Sequence, residues 1–310
     1  MTTQNAVFQR YINNDNVWLA KSTPQENLLT DHGITPCVLA SEDEVGQAML
    51  QELYATAAEK TGDINIALLG GRGGQALHKL LGELAKGSEQ DDLLARLNVF
   101  TQDALAPMGM NNGLSFVRDF ERILGSAFFD KIKSFTPMQT DLDDLESGLI
   151  DYLNKLEALG GLDIFFIGHG PEENQASHLA YIKPFSGAQS HHVAGLIPIS
   201  SSILEHHISK FKAGGSQISA SDEAECRKAQ YILTLGPAAI LQAKKVVQSV
   251  VDADSAPAKV ATYANVLNSE ISSDLGTDKQ QALAQLNANP GLWIRLHANC
   301  KSFVLPNLNV

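Results

Sequence analysis

Short, nearly all-apolar runs alternate with amphipathic segments along most of this chain of 310 residues. The strongest runs are residues 64–69, 162–167 and 231–235, which suit strands in length and are too short for helices. Runs of this kind predict strands buried on both faces, and the segments between them carry apolar residues at helical spacing. We therefore predict an α/β protein, a three-layer sandwich with helices on both sides of a mostly parallel, Rossmann-like sheet.

Caps and periodicity predict the boundaries of individual elements. Ser41 is followed three residues later by Glu44, a capping-box pattern that predicts a helix running to residue 57. Further strands are predicted at 37–40, 97–101, 193–197 and 245–251, further helices at 74–84, 114–124, 142–156, 238–244 and 257–267, and the segments 292–297 and 302–305 close the chain.

The domain organisation follows from where this pattern begins. Residues 1–34 are polar and weakly periodic, so we interpret them as an N-terminal extension that wraps the surface or contacts a partner chain. From there to the end neither a low-complexity linker nor an internal repeat interrupts the alternation, and the segment 213–219 is predicted to be a flexible loop. Residues 35–310 are therefore predicted to form a single domain.

Composition narrows the classes of partner. The balance of 23 Lys and Arg against 35 Asp and Glu gives a net charge of −12, which argues against general binding to nucleic acid or a membrane surface. A phosphorylated ligand must then occupy a local positive pocket. The three dispersed cysteines, the lack of a signal-like N-terminus and the lack of a membrane-length apolar run predict a cytoplasmic protein.

A glycine cluster follows the first strong strand and is the most informative motif. Gly70, Gly71, Arg72 and Gly73 lie between that strand and a predicted helix. Free N–H groups at a helix N-terminus, the helix dipole and an arginine together suit a phosphate. The pattern matches neither the nucleoside triphosphate loop nor the dinucleotide fingerprint. A turn needed merely for close packing is the structural alternative, and we favour anion binding.

Titratable groups follow other strands, at the edge where ligands of open parallel sheets bind. Asp103 comes just after the predicted strand 97–101, where a carboxylate serves either in chemistry or as a turn former. The segment 168–178 carries His169 and His178 together with two glutamates. The dipole of a following helix explains the glutamates but not both histidines, so this density favours acid–base chemistry.

Other polar residues give weaker signals. Lys259 opens a predicted helix, where a cation is unfavourable unless an anion is present; taken alone, it is interpreted as a solvated surface residue. The histidine pairs at 191–192 and 206–207 are predicted to be solvated or capping rather than metal ligands, because adjacent side chains point apart. The serines at 200–202 are predicted to form a turn and helix cap, and His297 is predicted to pack in the core.

Taken in order, these motifs resemble the glucosamine-6-phosphate deaminase and 6-phosphogluconolactonase group over roughly residues 36–304. LLGGRGGQAL is similar to the phosphate-binding turn of that group, and NVFTQDALAPMGMNNGLSFVRDF to its segment with an aspartate before a Ser-Phe pair. GHGPEENQAS resembles its G-x-G-x-D-G-H-x-A signature. YILTLGPAAILQAKKV followed by SAPAK resembles its strand, Thr-Leu-Gly turn, helix and later lysine.

The resemblance implies a sugar-phosphate isomerase-like fold, a phosphorylated sugar as substrate and no cofactor. Asp103 corresponds to the deaminase base that moves a proton between neighbouring sugar carbons before ammonia is lost. In the lactonase branch the signature histidine instead activates water against a lactone carbonyl. The residues implied to bind the substrate phosphate are Gly70, Gly71, Arg72, Gly73 and Lys259.

The chain departs from the group at the signature itself. Asn174 stands at the histidine position and cannot transfer a proton at neutral pH, Glu172 replaces the aspartate, and Leu179 stands where deaminases carry a glutamate. His178 follows Asn174 by four residues and shares its face if a helix has begun there. One hypothesis is that His169 or His178 replaces the lost base; the other is that the site is silent.

The resemblance and the departures from it leave three hypotheses for the function. The first is isomerisation with amine loss from a phosphorylated amino sugar, favoured by Ser115 and Phe116. The second is hydrolysis of a phosphorylated sugar lactone, favoured by Pro171 and the Ala176-Ser177 pair. The third is non-catalytic binding of a sugar phosphate. Fold analogy does not choose among them, and a monomer and a homo-oligomer are equally compatible with the sequence.

Overall fold

The computed structural model describes residues 7–23, 29–272 and 279–310, and in these ranges the chain forms fourteen strands and eleven α-helices. The strands are β1 Phe8–Asn13, β2 Asn16–Lys21, β3 Pro36–Val38, β4 Ile64–Leu68, β5 Leu97–Thr101, β6 Asp103–Ala106, β7 Ser134–Thr136, β8 Ile164–Ile167, β9 Gly170–Pro171, β10 Ser177–His178, β11 His192–Pro198, β12 Tyr231–Leu235, β13 Lys245–Val250 and β14 Cys300–Val304. The helices are α1 Glu42–Glu59, α2 Arg72–Lys86, α3 Asp91–Leu94, α4 Phe116–Leu124, α5 Ser126–Lys131, α6 Leu145–Ala158, α7 Ser201–Ala213, α8 Ala220–Cys226, α9 Pro237–Gln242, α10 Ala258–Asn268 and α11 Lys279–Ala288.

A parallel sheet of seven strands lies at the centre, in the order β3-β14-β13-β8-β4-β5-β7. The strands β4, β8 and β13 are buried along their whole length. In β8, Phe165 and Ile167 face one hydrophobic cluster, which includes α6, whereas Ile164 and Phe166 face another, which includes α1 and α2. Burial on both faces explains the continuous apolar runs, and the predicted α/β sandwich is confirmed.

A second sheet of five antiparallel strands, in the order β1-β2-β11-β12-β6, was not expected from the sequence. The predicted strands at 193–197 and 231–235 belong to this sheet, so their expected place in the parallel sheet is wrong. Short buried strands have the same apolar composition in either kind of sheet, and partner choice depends on distant residues. Leu233 and Leu235 of β12 pack into the same cluster as Phe165 of the parallel sheet.

The N-terminal residues differ from the expected surface extension. Strands β1 and β2 form a hairpin, and β2 pairs with β11 inside the five-stranded sheet. Trp18, Leu19 and Ala20 of β2 are buried. Four consecutive buried residues in a short strand give neither alternation nor helical period, which is why the pattern appeared weak. Residues 1–6 and 24–28 lie outside the described ranges, and the single domain of residues 35–310 stays a prediction.

Several local predictions are confirmed. Ser41 caps α1, and its Oγ accepts a hydrogen bond from the Glu44 N–H at 3.2 Å. Ser200 caps α7, as predicted, and Ser115 caps α4 in the same way although no cap was predicted there. The segment 213–219 joins α7 to α8. Within the described ranges, every helix is too short or too polar to cross a lipid bilayer.

The buried Trp18 provides a test of the N-terminal hairpin. Its ring stacks on His192 with centroids 5.4 Å apart, and its Nε1 donates to the Ser186 carbonyl at 2.8 Å. We expect Trp18→Ala to lower the free energy of unfolding by about 3–5 kcal/mol, because it opens a cavity and leaves that carbonyl unpaired. Urea unfolding measures the change. The exposed Ile12 of the same hairpin is the control, and Ile12→Ala should change stability by less than about 0.5 kcal/mol. Equal effects would show that the hairpin is not part of the core.

Candidate active site

One cavity of about 370 Å³ opens at the carboxyl edge of the parallel sheet. The segments that follow β13, β8, β4 and β5 contribute to its wall, and these four strands are consecutive neighbours in the sheet. Helix α7 contributes the remaining side. The lining residues are Leu69, Gly70, Gly71, Arg72, Gly73, Gln102, Asp103, Phe116, Gly168, His169, Gly170, Pro171, Glu172, Glu173, His178, Ala180, Tyr181, Ile203, His206, His207, Lys210, Phe211, Ser249, Asp252, Ala258 and Lys259. The cavity thus brings together all the sequence-predicted site residues except Asn174.

The glycine turn forms one wall of the cavity. Gly71 has φ 72°, a left-handed conformation that favours glycine, and it precedes Arg72, the first residue of α2. A Cβ at Gly70 would lie 2.2 Å from the Phe116 ring, so the turn accepts no side chain there. Gly71 has no side chain to cap α2, and the Gly74 N–H donates to the Gly71 carbonyl at 3.2 Å, so the N–H groups of Arg72 and Gly73 are the ones that can bind an anion.

Arg72 stands at the mouth of this turn and is held by an acidic partner. Its Nε donates to Glu42 Oε1 at 3.1 Å, and its Nη2 also contacts that carboxylate. The hydrogen bond to Glu42 raises the pKa of Arg72. The side chain remains 42 % exposed, so the guanidinium has further donors for a ligand.

A buried cluster of three charges lies beside the glycine turn. Asp252, which follows β13, accepts hydrogen bonds from Lys259 Nζ of α10 and, at 2.7 Å, from Lys210 Nζ of α7. Asp252 and Lys259 are both buried. Burial raises the pKa of Asp252, but the two ammonium groups outweigh this effect and hold it well below its usual range. Burial lowers the pKa of Lys259 to about 8, although Asp252 acts in the opposite direction. Lys259 is therefore not a solvated surface residue.

Asp103 is the first residue of β6 and is only 3 % exposed. Its Oδ2 accepts a hydrogen bond from Gln102 Nε2 at 2.6 Å, whereas Oδ1 has no partner among the described residues. Burial raises the pKa of Asp103 to about 7, and the bond from Gln102 opposes the shift. A carboxyl group with a pKa near neutrality can both take and return a proton.

His178 reaches the cavity with a carboxylate partner. Its Nδ1 lies 2.8 Å from Glu172 Oε1, and its ring stacks on Tyr181 with centroids 4.9 Å apart. A Cβ at Gly170 would lie 1.8 Å from His178 Nε2, so this glycine makes room for the ring. Burial is the main cause that raises the pKa of Tyr181, and the nearby carboxylates of Asp103 and Glu172 raise it further.

The segment 168–178 folds as a hairpin. Asn174 and His178 would share a face only if a helix had begun there, so that expectation is wrong. Strand β10 pairs with β9, and a single 3₁₀ turn, Glu173–Gln175, connects them. Asn174 is exposed at this turn with φ 56°, a conformation that asparagine tolerates, and it does not line the cavity. The motif's histidine position is thus at a hairpin tip, and the imidazole that faces the cavity is four residues later.

His169 also lines the cavity, but its surroundings disfavour protonation of the ring. It is buried, and its Nε2 lies 2.8 Å from Thr262 Oγ1. Burial, and then the charge of Lys259, holds the pKa of His169 well below its usual range. A neutral imidazole in this position can hydrogen-bond a substrate hydroxyl.

Helix α7 carries functional residues that the sequence analysis missed. Ile203, His206, His207, Lys210 and Phe211 recur at helical spacing and all line the cavity. His207 is buried, its Nε2 lies 2.7 Å from the Leu114 carbonyl and burial lowers its pKa to about 4, so the solvated or capping role predicted for it is wrong. His206 is exposed on the helix, as predicted. The spacing itself was visible in the sequence, as was Asp252, the first carboxylate after a strong strand.

Two further histidines, His192 and His297, are structural. His192 is buried against Trp18, which corrects the solvated or capping role expected for it. His297 is buried and its Nε2 bonds the Ala243 carbonyl at 2.7 Å, so its packing role is confirmed. Among the described residues, no group of three or more His, Cys, Asp or Glu side chains is arranged to hold a metal ion.

Several solved structures share this fold. A monomeric glucosamine-6-phosphate deaminase matches with a TM-score of 0.64 and 17% identity, over 89% of this chain and 98% of its own. The 6-phosphogluconolactonase from Trypanosoma cruzi matches with a TM-score of 0.62 and 15% identity, over 91% and 98% of the two chains. That from Trypanosoma brucei has a TM-score of 0.61 and 16% identity, over 89% and 97%. The fold predicted from the motif resemblance is thereby confirmed. No protein-family model and no curated protein matches the sequence.

The buried Asp103 predicts a specific dependence of stability on pH. An unfolded aspartate has a pKa of about 3.9, so between about pH 4 and pH 7 the folded protein binds more protons at this group, and its contribution to stability falls as pH rises. Asp103→Asn removes the effect. We expect the variant to gain roughly 2–3 kcal/mol relative to the wild type between pH 5 and pH 8, measured by urea unfolding at both values. Asp130→Asn, at an exposed site, should show no such gain; a pH-independent difference for Asp103→Asn would contradict the raised pKa.

Proposed function

We propose that this protein is a sugar-phosphate enzyme of the glucosamine-6-phosphate isomerase/deaminase kind. One observation carries the proposal: a single cavity joins a cationic wall, made by Arg72, Lys210 and Lys259, to a buried carboxyl group, Asp103, with a pKa of about 7. The cationic wall suits a phosphate, and a carboxyl group that titrates near neutrality suits proton transfer. The likeness of the fold to a deaminase supports the proposal and does not establish it.

The phosphate is anchored at the glycine turn in this proposal. The N–H groups at the start of α2 donate to its oxygens, and the ammonium groups of the buried Lys259 and the partly exposed Lys210 supply charge. An anchored phosphate fixes the sugar carbons at a constant distance from the anchor. The reacting carbons then face the residues at the other side of the cavity.

Two separate groups carry out the proton transfers in this proposal. The His178–Glu172 pair moves the proton that ring opening requires, because the carboxylate orients and supports the imidazolium. The carboxylate Oδ1 of Asp103 then removes a proton from the carbon that bears the amine and returns it to the neighbouring carbon. This shift leaves an imine, which water hydrolyses to a ketone and ammonia. Every step is a proton transfer or hydrolysis, and no redox cofactor enters the reaction.

Lactone hydrolysis is the second candidate, and the His178–Glu172 pair specifically favours it. An imidazole held through Nδ1 by a carboxylate leaves Nε2 to take a proton from water, which then attacks a lactone carbonyl. This reaction uses the same phosphate anchor but does not need a proton shuttle at Asp103. Non-catalytic binding of a sugar phosphate needs the anchor alone. The dispersed free cysteines favour a cytoplasmic setting for any of these functions.

A ligand panel tests the substrate class. We expect glucosamine 6-phosphate to raise the melting temperature more than glucose or glucosamine does, because the phosphate supplies most of the charge contacts. Assays for ammonia release from glucosamine 6-phosphate and for acid release from 6-phosphogluconolactone then follow. Ammonia release supports the first function and lactone hydrolysis the second. Stabilisation with neither activity supports a binding protein, and a panel without any stabilisation overturns all three.

Two substitutions separate the enzymatic functions. In a deaminase, Asp103→Asn should lower kcat for ammonia release about 10²–10⁴-fold, because the amide cannot carry the proton between carbons. In a lactonase, Asp103→Asn should leave most of the activity, whereas His178→Gln should lower it by a similar factor. Steady-state kinetics on folded variants measures both. Asp130→Asn, exposed on α5, is the control and should match the wild type. Full deaminase activity in Asp103→Asn would contradict the proposed proton shuttle.

A further inference from the structure

An acidic residue stands inside the cationic wall of the cavity, where simple electrostatics disfavours it. Asp252 lines the cavity together with Lys210 and Lys259, the two lysines that a phosphate needs. A carboxylate next to a bound phosphate repels it, so a residue without a role here would weaken binding for no gain. The contacts of Asp252 explain its presence.

Asp252 ties three elements of the fold together at one point. Its Oδ1 accepts from Lys259 of α10, and its Oδ2 accepts from Lys210 of α7 at 2.7 Å. Its backbone carbonyl accepts from the N–H groups of Ser255 at 3.2 Å and Ala256 at 2.9 Å, which orders the turn that leads into α10. Each ammonium group has three N–H donors and gives one to Asp252, so donors remain for a ligand in the cavity. Both lysines are therefore held in place before any ligand arrives.

We propose that Asp252 is the built-in counter-ion of the anion site, and that Lys210 of α7 is a phosphate-binding cation fixed by it. The ammonium group of Lys259 is buried and stands beside that of the partly exposed Lys210, so burial and mutual repulsion favour loss of a proton from Lys259 unless an anion is near. The carboxylate removes that penalty in the empty site and leaves the three groups with a net charge of +1 for the incoming phosphate. The inference rests on the proposed binding of a sugar phosphate.

The other charged groups around Lys259 do not stabilise its ammonium form as Asp252 does. Arg72 of α2 and Lys210 of α7 both favour the neutral amine. His169 and His206, which interact with Lys259, have strongly lowered pKa values and are uncharged at neutral pH. Asp252 is the group whose charge most strongly opposes deprotonation of Lys259, so removing it should leave this lysine largely neutral in the empty site.

Proton uptake on binding tests the counter-ion directly. Isothermal titration of the full chain with glucose 6-phosphate at pH 7.5, in buffers of different ionisation enthalpy, gives the number of protons taken up. We expect Asp252→Asn to take up at least about half a proton more than the wild type, because phosphate restores the charge that Lys259 has lost. Asp252→Glu keeps a carboxylate and should take up fewer protons than Asp252→Asn. A change in packing alone would not move the proton number in this direction.

Matched control variants separate the roles of Asp252 and Lys210 from general effects of changing a charge. Asp254→Asn removes the same charge two residues later at an exposed position and should keep the wild-type proton number. Lys210→Met should weaken binding of glucose 6-phosphate about tenfold or more, whereas Lys212→Met, exposed on the same helix, should not. Should Asp252→Asn fail to fold, unchanged affinity in Lys210→Met overturns the proposal by itself.

The outcomes separate this inference from the proposed function. If the wild type binds glucose 6-phosphate but Asp252→Asn and Asp254→Asn have equal proton numbers, the counter-ion role is wrong and the sugar-phosphate site stands. If the wild type does not bind it, the anion site and the counter-ion role fail together. A larger proton number in Asp252→Asn, with weaker binding in Lys210→Met, supports both parts.

Discussion

Charge neutralisation at the carboxyl edge of the parallel sheet is the constraint on which the site depends. Four neighbouring strands end at this edge, and the segments that follow them bring Arg72, Asp103, Glu172 and Asp252 to one cavity. Groups withdrawn from water must be paired, or must change their protonation state. Asp252 is paired twice and stays ionised, whereas Asp103 receives one hydrogen bond from an uncharged amide and titrates near neutrality.

This difference between two aspartates gives the cavity two chemically distinct sides. Near Asp252 the charges are fixed, as a binding wall requires, because fixed charges cost no reorganisation when the ligand arrives. On the other side the buried carboxyl group of Asp103 can exchange a proton near neutral pH, which suits the proton transfer proposed for it. The five-stranded sheet contributes to the second side, since Asp103 begins β6 and pairs across to Thr234 of β12. The unexpected sheet therefore supplies the backbone that holds the candidate base.

Sequence patterns predicted those parts of the site that depend on local order along the chain. The glycine turn, Asp103 and the segment 168–178 each follow a strand, and the rule that ligands bind beyond strand ends identified them. The same rule failed for Lys210, because α7 follows β11 of the antiparallel sheet, and strand pairing is set by contacts between distant residues. The buried β2 was missed for a related reason: its burial on both faces arises from β11 and the core, not from its own periodicity.

The structure places an imidazole in the cavity although the histidine position of the motif holds Asn174. On the sequence alone, Asn174 and His178 were expected to share one face of a helix. The chain instead turns back at Asn174 in a left-handed conformation and forms a two-residue ladder that directs His178 inward. Glu172 directly follows β9 in the same hairpin, and its carboxylate meets the imidazole of His178 at 2.8 Å. The hairpin thus carries a carboxylate and an imidazole together, and this imidazole, which lines the cavity, stands four residues after the histidine position of the motif.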